Sequence, residues 1–462
     1  MLIRHFFTPG LAINTYLIFD EVEKRGALID PTRQVERYIS QAIQDGVQIT
    51  DIFETHVHAD FVSGALELKK ALNNKPTIHC SGMGGKEWIP CYADHIVQDH
   101  DDVRLGSLRF QAWHTPGHTP EHVIWLVFDE RRSLKAPEIA FTGDLLFVGS
   151  VGRPDLLGPA AEEHLAKQLY HSLFKLLHSL PDFVEIYPAH GAGSLCGKAI
   201  GSKLSSTFGY EKQCNPGLVP QPYGTWLKQL HDNMPPAPHY FSAMKRINVT
   251  GPRISERKEA LFLLTKEHIR EHISSYIFLD VRRPEEFSSG HIKNAINVPF
   301  SPSFPQWAGV ALPENPQLVI VLDTPELVSQ MITTLKLIGI DDILGYINIR
   351  EWNEADKKEM FVASPMIDVK ELGSKPNDYY VIDVRTLSEW NAGHIDGAHH
   401  LELAKSPEFL STIPGNKPIA VICHSGNRAS IVASLLMREG REKVFNVRGG
   451  MQAWLAERLP VL

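Results

Sequence analysis

The stretch ETHVHADFVSG, residues 54–64, places three metal-binding side chains at every second position and then an apolar one. His56 and His58 can supply neutral imidazole nitrogens and Asp60 a charged oxygen, which together bind divalent cations. Two histidines at alternate positions of an extended segment point their rings to the same side. Phe61, which follows, cannot bind a metal. The stretch therefore predicts a metal loop that is apolar at one corner.

Three further loops carry residues of the same kinds. They read HTPGHTPEH (114–122), FTGDLLF (141–147) and YPAHGAGS (187–194). Short apolar runs that end in polar turns predict strands, here at residues 15–20, 26–31, 78–80, 110–115, 122–129, 139–144 and 183–190. Leucines spaced by three and four residues predict a helix within 160–180. Residues 1–200 thus predict an α/β region whose metal-binding side chains lie at strand ends.

Length and composition limit the classes of protein. A chain of 462 residues predicts three domains at about 150 residues each. The net charge of −8 argues against binding to nucleic acid or to an anionic membrane. No apolar run approaches the roughly 20 residues that span a bilayer, and the N-terminus has no signal-peptide pattern. Five scattered cysteines without a CxxC pair predict a reducing, cytoplasmic location.

The second half of the chain contains an internal repeat. FLDVRRPEEFSSGHIKNAINVP (278–299) matches VIDVRTLSEWNAGHIDGAHHLE (381–402) at an offset of 103 residues. The repeat predicts two copies of one α/β unit, joined near residues 362–366. Residues 201–255, which are richer in Pro, Gly and Asn, predict an extended and partly irregular closing segment. The predicted domains are therefore 1–255, 256–358 and 362–462.

The last copy carries a candidate nucleophile. In PIAVICHSGNRAS (418–430), an apolar strand leads into Cys423, a short loop with a glycine, and Arg428 at the start of a predicted helix. Loop N–H groups, the helix N-terminus and the Arg428 charge all favour the thiolate or a persulfide. In the first copy, VIVLDTPELVSQ (319–330) places Asp323 at the position predicted to match Cys423, and no Gly or Arg follows. We therefore expect an inactive spacer or docking domain at 256–358.

The series HxHxD, PGHT, TGD and PAHG resembles the metallo-β-lactamase fold, an αββα sandwich of two sheets with outer helices. In two-metal hydrolases of that fold the first loop reads HxHxDH, so Phe61 here removes one ligand of a second metal. TPGHT followed by TGDLLFVGSVGRPD resembles the persulfide dioxygenases, which implies His56, His118 and Asp144 as ligands of one Fe(II) per chain. Two imidazoles and one carboxylate with open positions opposite suit non-haem iron and O₂.

Under the iron interpretation, the resemblance makes His58, Asp60 and His190 groups that orient the ligands through hydrogen bonds. Zinc with His58 as a fourth ligand is the alternative. Arg153 in GSVGRPD is expected beside the thiol substrate, or else in a structural ion pair. Glutathione-using relatives carry a tyrosine where this chain has Ala192, so coenzyme A or another small thiol is an alternative carrier. Cys196 is predicted either to hold a sulfur near the substrate or to be a small buried thiol.

The loop CHSGNR and the upstream DVR…E…GHI…GA pattern resemble a rhodanese. Asp383, Arg385 and Glu389 are expected to form ion pairs that hold the fold. The whole chain thus resembles a persulfide dioxygenase–rhodanese fusion that oxidises a thiol persulfide with O₂ to sulfite and exchanges sulfane sulfur with sulfite or thiosulfate. We expect a homo-oligomer. The alternatives are a zinc thioester hydrolase of the glyoxalase II type and, for the repeats, an interaction scaffold, which CHSGNR argues against.

Overall fold

The computed structural model describes residues 1–232, 234–254, 262–406, 408–415 and 417–462. The chain forms two compact units, one built mainly from Met1–Ala237 and Phe241–Ile254 and the other containing both repeats. The predicted domain boundary at residues 255 and 256 lies outside the described residues. None of the helices in the described ranges combines the length and apolar character needed to cross a bilayer.

The first unit contains two six-stranded sheets. The first sheet has strands in chain order, antiparallel from β1 to β3 and parallel from β3 to β6. These strands are β1 (Leu2–Thr8), β2 (Ile13–Asp20), β3 (Arg25–Ile29), β4 (Gln48–Phe53), β5 (Thr77–Ser81) and β6 (His95–Val97). The second sheet has the order β14-β13-β10-β9-β8-β7. Its strands are β7 (Asp102–Leu105), β8 (Leu108–His114), β9 (Val123–Asp129), β10 (Ile139–Gly143), β13 (Glu185–Pro188) and β14 (Ser206–Thr207), while β11 (Leu146–Phe147) and β12 (Ser150–Val151) pair separately.

Three apolar cores lie between the layers of this unit. The central core joins side chains of both sheets, among them Phe53 from the first and Phe110 and Trp125 from the second. A second core packs α1 (Val35–Asp45) and α2 (Ala65–Ala71) on the outer face of the first sheet. A third packs α3 (Pro159–His171), α4 (Phe208–Cys214) and α5 (Tyr223–His231) on the outer face of the second. The predicted αββα arrangement is confirmed.

All seven predicted strands are present, but the prediction for residues 201–255 is wrong. The structure has three helices there, α4, α5 and α6 (Phe241–Thr250). Prolines and glycines separate these helices, whereas Phe208, Trp226 and Phe241 within them are buried. The prediction gave weight to the turn residues and overlooked apolar side chains that are stabilised by packing on the core.

The second unit contains two parallel sheets, one from each repeat. The first has the order β17-β15-β18-β19 and the second β21-β25-β24-β22-β23. The first repeat contains α7 (Lys266–His272), β15 (Ile277–Asp280), α8 (Pro284–Ser289), β16 (His291–Ile292), β17 (Ile296–Asn297), α9 (Phe304–Ala311), β18 (Leu318–Leu322), α10 (Val328–Leu337), β19 (Ile343–Asn348) and α11 (Glu354–Met360). After β20 (Phe361–Val362), which pairs with β16, come β21 (Met366–Ile367), α12 (Val369–Ser374), β22 (Tyr380–Asp383), α13 (Leu387–Asn391), β23 (His399–His400), β24 (Ile419–Ile422), α14 (Asn427–Arg438), β25 (Val444–Val447) and α15 (Gly450–Ala456).

Each repeat contains the same arrangement of ion pairs. Arg282 binds the Asp280 carboxylate and the Gly290 carbonyl, and Arg385 binds Asp383 and Gly393 in the same way. These groups lie at the end of the first strand of each repeat and hold the following loop, as expected for ion pairs that support the fold.

The sheet register corrects one position in the first repeat. Asp280 pairs with Val321, and its counterpart Asp383 pairs with Ile422. The residue that matches Cys423 is therefore Leu322, and Asp323 lies one position further along the chain. The offset between the repeats is 103 residues at β15 and β22 but 101 at β18 and β24, because the connection between these strands is two residues longer in the first repeat. Leu322 has no nucleophilic atom, so the first repeat lacks a sulfur-transfer nucleophile at this position, as expected.

Candidate metal centre and candidate sulfur-transfer site

The predicted metal ligands lie at strand ends of both sheets. His56 follows β4 in the first sheet, whereas His118 lies between β8 and β9 and Asp144 directly follows β10 in the second. All three side chains are buried. Asp144 Oδ2 lies 3.3 Å from His118 Nε2 and 3.8 Å from His56 Nε2, and the two imidazole rings are perpendicular. The sandwich thus brings together residues that are far apart in the sequence.

The atoms that face one another in this cluster have no hydrogen-bond partner among the described residues. They are His56 Nε2, His118 Nε2 and both carboxylate oxygens of Asp144. Buried polar atoms are nearly always bonded, and an unmatched set needs an explanation such as an ion. The cluster therefore fits a divalent cation, as its ligand atoms lie within 4.8 Å of one another.

The opposite nitrogen of each ring is already engaged. His118 Nδ1 donates to the Arg153 carbonyl oxygen at 3.0 Å, which leaves Nε2 without a proton. Thr55 Oγ1 donates to Asp30 and so accepts from His56 Nδ1, at 2.9 Å. Burial lowers the pKa of His118 and lowers the pKa of His56 well below its usual value. Both imidazoles are therefore neutral and oriented as ligands, in the manner of partners that surround a metal site.

Two residues that the sequence analysis did not single out support the same loops. His122 Nε2 accepts the backbone N–H of Asp144 at 3.0 Å, so this histidine holds the backbone of Asp144 and its Nε2 is not free to bind a metal. Glu121 is buried and accepts the backbone N–H of Val57, between the two histidines of the first loop, at 2.7 Å. Burial raises the pKa of Glu121 to about 7. The sequence could have pointed to both residues, because they lie in the same loop, HTPGHTPEH, as the predicted ligand His118.

His58 points away from the triad. Its Nε2 lies 3.2 Å from both Asp30 Oδ1 and Glu54 Oε2, and its ring packs at 4.3 Å on the buried Phe61 ring. Burial opposes a charge on His58, but these two carboxylates raise its pKa well above the usual value. His58 is thus a cation in a buried ion cluster. It touches Asp30, which orients His56 through Thr55, and so supports the ligand indirectly.

A second cluster lies on the other side of Asp144. His190 Nε2 is 3.4 Å from Asp144 Oδ1 and 3.5 Å from Asp60 Oδ2, and Cys196 Sγ lies within 4.8 Å of ligand atoms of Asp60 and His190. Burial, followed by the nearby Asp60 and Asp144, raises the pKa of the Cys196 thiol well above its usual value. The structure places Cys196 in this second cluster, whereas Phe61 packs against His58.

Arg153 lies beside both clusters in a buried ion pair. Its guanidinium binds both oxygens of Asp155 at 2.7 and 2.6 Å and the Leu195 carbonyl at 2.9 Å. The backbone carbonyl of Arg153 holds His118, as described above. In this arrangement Arg153 connects the His118 ring to the loop that carries Cys196.

The candidate nucleophile lies at the end of a central strand of the last repeat. Cys423 follows β24, is buried, and accepts the backbone N–H of Gly426 at its Sγ, at 3.1 Å. Gly426 has a positive φ of 104° at the start of α14, a conformation that suits glycine. The loop thus directs an N–H group and a helix N-terminus at the sulfur, the arrangement that stabilises a thiolate.

Arg428 is held in place by Glu389. The guanidinium makes two bonds to the Glu389 carboxylate, at 2.7 and 2.6 Å. Burial opposes the charge of Glu389, but Arg428 lowers its pKa to about 2. Glu389 was expected in an ion pair that holds the fold, and its partner proves to be the arginine of the Cys423 loop.

Comparisons with protein-family models cover most of the chain. The model of the Metallo-beta-lactamase superfamily matches residues 8–190, and that of the Rhodanese-like domain matches residues 265–351 and 368–457. The three matches fall on the sandwich and on the two repeats.

Individual proteins resemble separate parts of the chain. The mouse (Mus musculus) persulfide dioxygenase ETHE1 is 30% identical over 220 residues, which make up 47% of this chain and 76% of that protein. A hydroxyacylglutathione hydrolase of Dictyostelium discoideum is 29% identical over 179 residues, or 38% of this chain and 61% of that protein. The crystal structure of a metallo-beta-lactamase from Staphylococcus aureus subsp. aureus COL is 34% identical, covers 75% of this chain and 98% of that one, and superimposes with a TM-score of 0.67.

Proposed function

Because this chain belongs to the metallo-β-lactamase superfamily, as a relative of the persulfide dioxygenases with two rhodanese-like domains, we propose that it oxidises thiol persulfides and transfers sulfane sulfur. The first reaction is RSSH + O₂ + H₂O → RSH + H₂SO₃. It breaks the S–S bond and oxidises the outer sulfur, while O₂ is reduced. A small thiol such as glutathione or coenzyme A carries the persulfide.

The observation that carries this proposal is the set of unbonded buried atoms of His56, His118 and Asp144. Two neutral imidazoles and one carboxylate on one side form the ligand set that suits Fe(II) with open positions, and Fe(II) supplies one-electron chemistry with O₂. The chain's own residues hold this set. Thr55 and the Arg153 carbonyl fix the tautomers of the two histidines, and His122 fixes Asp144 through its backbone N–H.

The second reaction takes place at Cys423. A persulfide on Cys423 presents an electrophilic outer sulfur to sulfite, and attack gives thiosulfate and the free thiolate: Cys–SSH + SO₃²⁻ → Cys–S⁻ + S₂O₃²⁻ + H⁺. The Gly426 N–H at 3.1 Å stabilises the sulfur anion that leaves. The paired Arg428 keeps a positive charge at the same loop.

Metal analysis together with oxygen uptake tests the first reaction. The purified chain should contain about one iron and consume O₂ only when a persulfide is present. His56→Ala should lose both properties, because it removes one of three ligands. As a matched control, His95→Ala changes an exposed histidine of the same domain and should keep both. Persulfide-independent O₂ uptake, or full activity without His56, would contradict the proposal.

The cluster of Asp60, His190 and Cys196 favours a second candidate, a two-metal zinc thioester hydrolase of the glyoxalase II type. The shared Asp144 carboxylate has one oxygen toward each cluster, as a bridging ligand would. Two zinc ions per chain, thioester hydrolysis and loss of one zinc in Cys196→Ala would establish this candidate. One iron per chain in both the wild-type protein and Cys196→Ala would reject it.

A further inference from the structure

The helix that starts at the Cys423 loop is buried on all sides. Eight consecutive residues of α14, Ala429–Leu436, are buried. A helix at a protein surface keeps one polar face in water, so such a run requires neighbours on both sides. One neighbour is the sheet of its own repeat. The other is the first repeat, whose edge strand β17 and helix α9 pack against α14.

A polar contact lies within this apolar interface. The buried Asn297 of β17 accepts the hydroxyl of Ser430 at its Oδ1, at 2.5 Å. The Asn297 backbone N–H donates to Ser434 Oγ at 3.0 Å. Its side-chain amide donates to the carbonyl oxygens of Asp280 and Arg282, at 2.9 and 3.0 Å. Because two carbonyls fix the amide nitrogen, Oδ1 can only face Ser430.

Two further hydrogen bonds connect Ser430 to the sulfur of Cys423. Ser430 lies in the first turn of α14 and donates its backbone N–H to the Gly426 carbonyl at 2.9 Å. Gly426 in turn directs its own N–H at Cys423 Sγ, at 3.1 Å. Arg428 lies in the same turn. A displacement of this turn would therefore move the N–H donor and the arginine together.

We propose that Asn297, in the repeat without a nucleophile, is a positioning residue for Cys423. Its fixed amide holds Ser430 and with it the first turn of α14, so that the Gly426 N–H stays in bonding distance of the sulfur. The first repeat then supplies part of the frame of the active loop, which gives this copy a function although Leu322 replaces the cysteine. The proposal rests on the proposed sulfur transfer at Cys423.

The test uses the full chain and the transfer of sulfur from thiosulfate to cyanide. Asn297→Ala should lower kcat by about tenfold, the size expected for loss of the one buried hydrogen bond that reaches Ser430, and change KM for thiosulfate little. Ser430→Ala removes the same bond from the other side and leaves the amide bonds of Asn297 intact. The double variant should be no worse than the more affected single variant. Hydrogen exchange should become faster in residues 424–430 and stay unchanged in β22.

Arg438→Ala is the matched control. It removes another bond between the repeats, from Arg438 to the Asn294 carbonyl, at the far end of the same helix. Transfer should stay within twofold of the wild type. An equal loss in Arg438→Ala would assign the effect to general packing and overturn the proposal, as would full transfer in both Asn297→Ala and Ser430→Ala. If Asn297→Ala does not fold, Ser430→Ala decides alone.

Failure of the proposed function would be recognised separately. A wild-type chain without any sulfur transfer would reject the transfer reaction, whereas the exchange measurement would still report whether Asn297 holds the first turn. Unchanged exchange in residues 424–430 of both variants would overturn the positioning role in that case as well.

Discussion

Single carboxylates decide where the functional groups point in both sites. Asp30 accepts the Thr55 hydroxyl and thereby turns His56 Nε2 toward Asp144, and it also holds His58 away from that position. Glu389 holds Arg428 with two bonds beside Cys423. The residue types of both sites are visible in the sequence. Which nitrogen of a histidine faces the candidate metal position depends on partners such as Asp30 and Arg153, which lie far away in the sequence.

Glu389→Gln should make the free energy of unfolding less dependent on pH in the acid range. The pKa of Glu389 falls from 4.5 to about 2 on folding. The unfolded chain therefore binds more protons between these values, so this stabilisation is present above about pH 4.5 and is lost as the pH falls toward 2. Urea unfolding between about pH 3 and pH 7 should show a steeper acid loss for the wild type than for Glu389→Gln. Equal slopes would contradict the ion pair with Arg428.

At the scale of elements, strand sequences were more informative than composition. Apolar runs that end in polar turns predicted seven strands correctly, because a buried strand needs a continuous apolar segment. Residues 201–255 were misjudged since Pro and Gly mark the ends of helices as well as loops. The match of Asp323 to Cys423 failed because the connection before this strand differs by two residues between the repeats, so that the motifs alone do not fix the alignment there. The pairings of Asp280 with Val321 and of Asp383 with Ile422 place Leu322 at that position.

The loop of the first repeat should resist conversion into an active one. In a Cys423→Ser background, Leu322→Cys places a thiol at the matching strand end, but transfer should stay absent. Pro325 lacks an N–H, and no glycine or arginine matches Gly426 and Arg428. Thiosulfate-to-cyanide transfer measures the outcome, with mass spectrometry to detect a persulfide on the introduced thiol. Restored transfer would show that the strand end alone suffices.

At the scale of the whole molecule, the proposed function would join a source of sulfite and an acceptor for it in one chain. We expect the wild-type chain to convert persulfide and O₂ largely to thiosulfate, because a tethered domain meets sulfite at a raised effective concentration. Cys423→Ser should release sulfite instead, with O₂ uptake unchanged. Chromatography of the products under limiting O₂ gives the ratio. Equal ratios in both proteins would show that the two domains do not couple the reactions in this direction.

The candidate metal ligands come from both layers of the sandwich, His56 from the first sheet and His118 and Asp144 from the second. A cation bound by them would therefore be a cross-link that closes a long stretch of chain, as a disulfide would in an oxidising compartment. At a thousandfold excess over its dissociation constant it stabilises the fold by about 4 kcal/mol. Calorimetry of chelator-treated protein should show a lower melting temperature, restored by adding Fe(II), whereas Asp144→Asn should melt low with or without iron. A shortage of this cation would then lower the fraction of folded protein, so that the abundance of the chain would follow its metal supply.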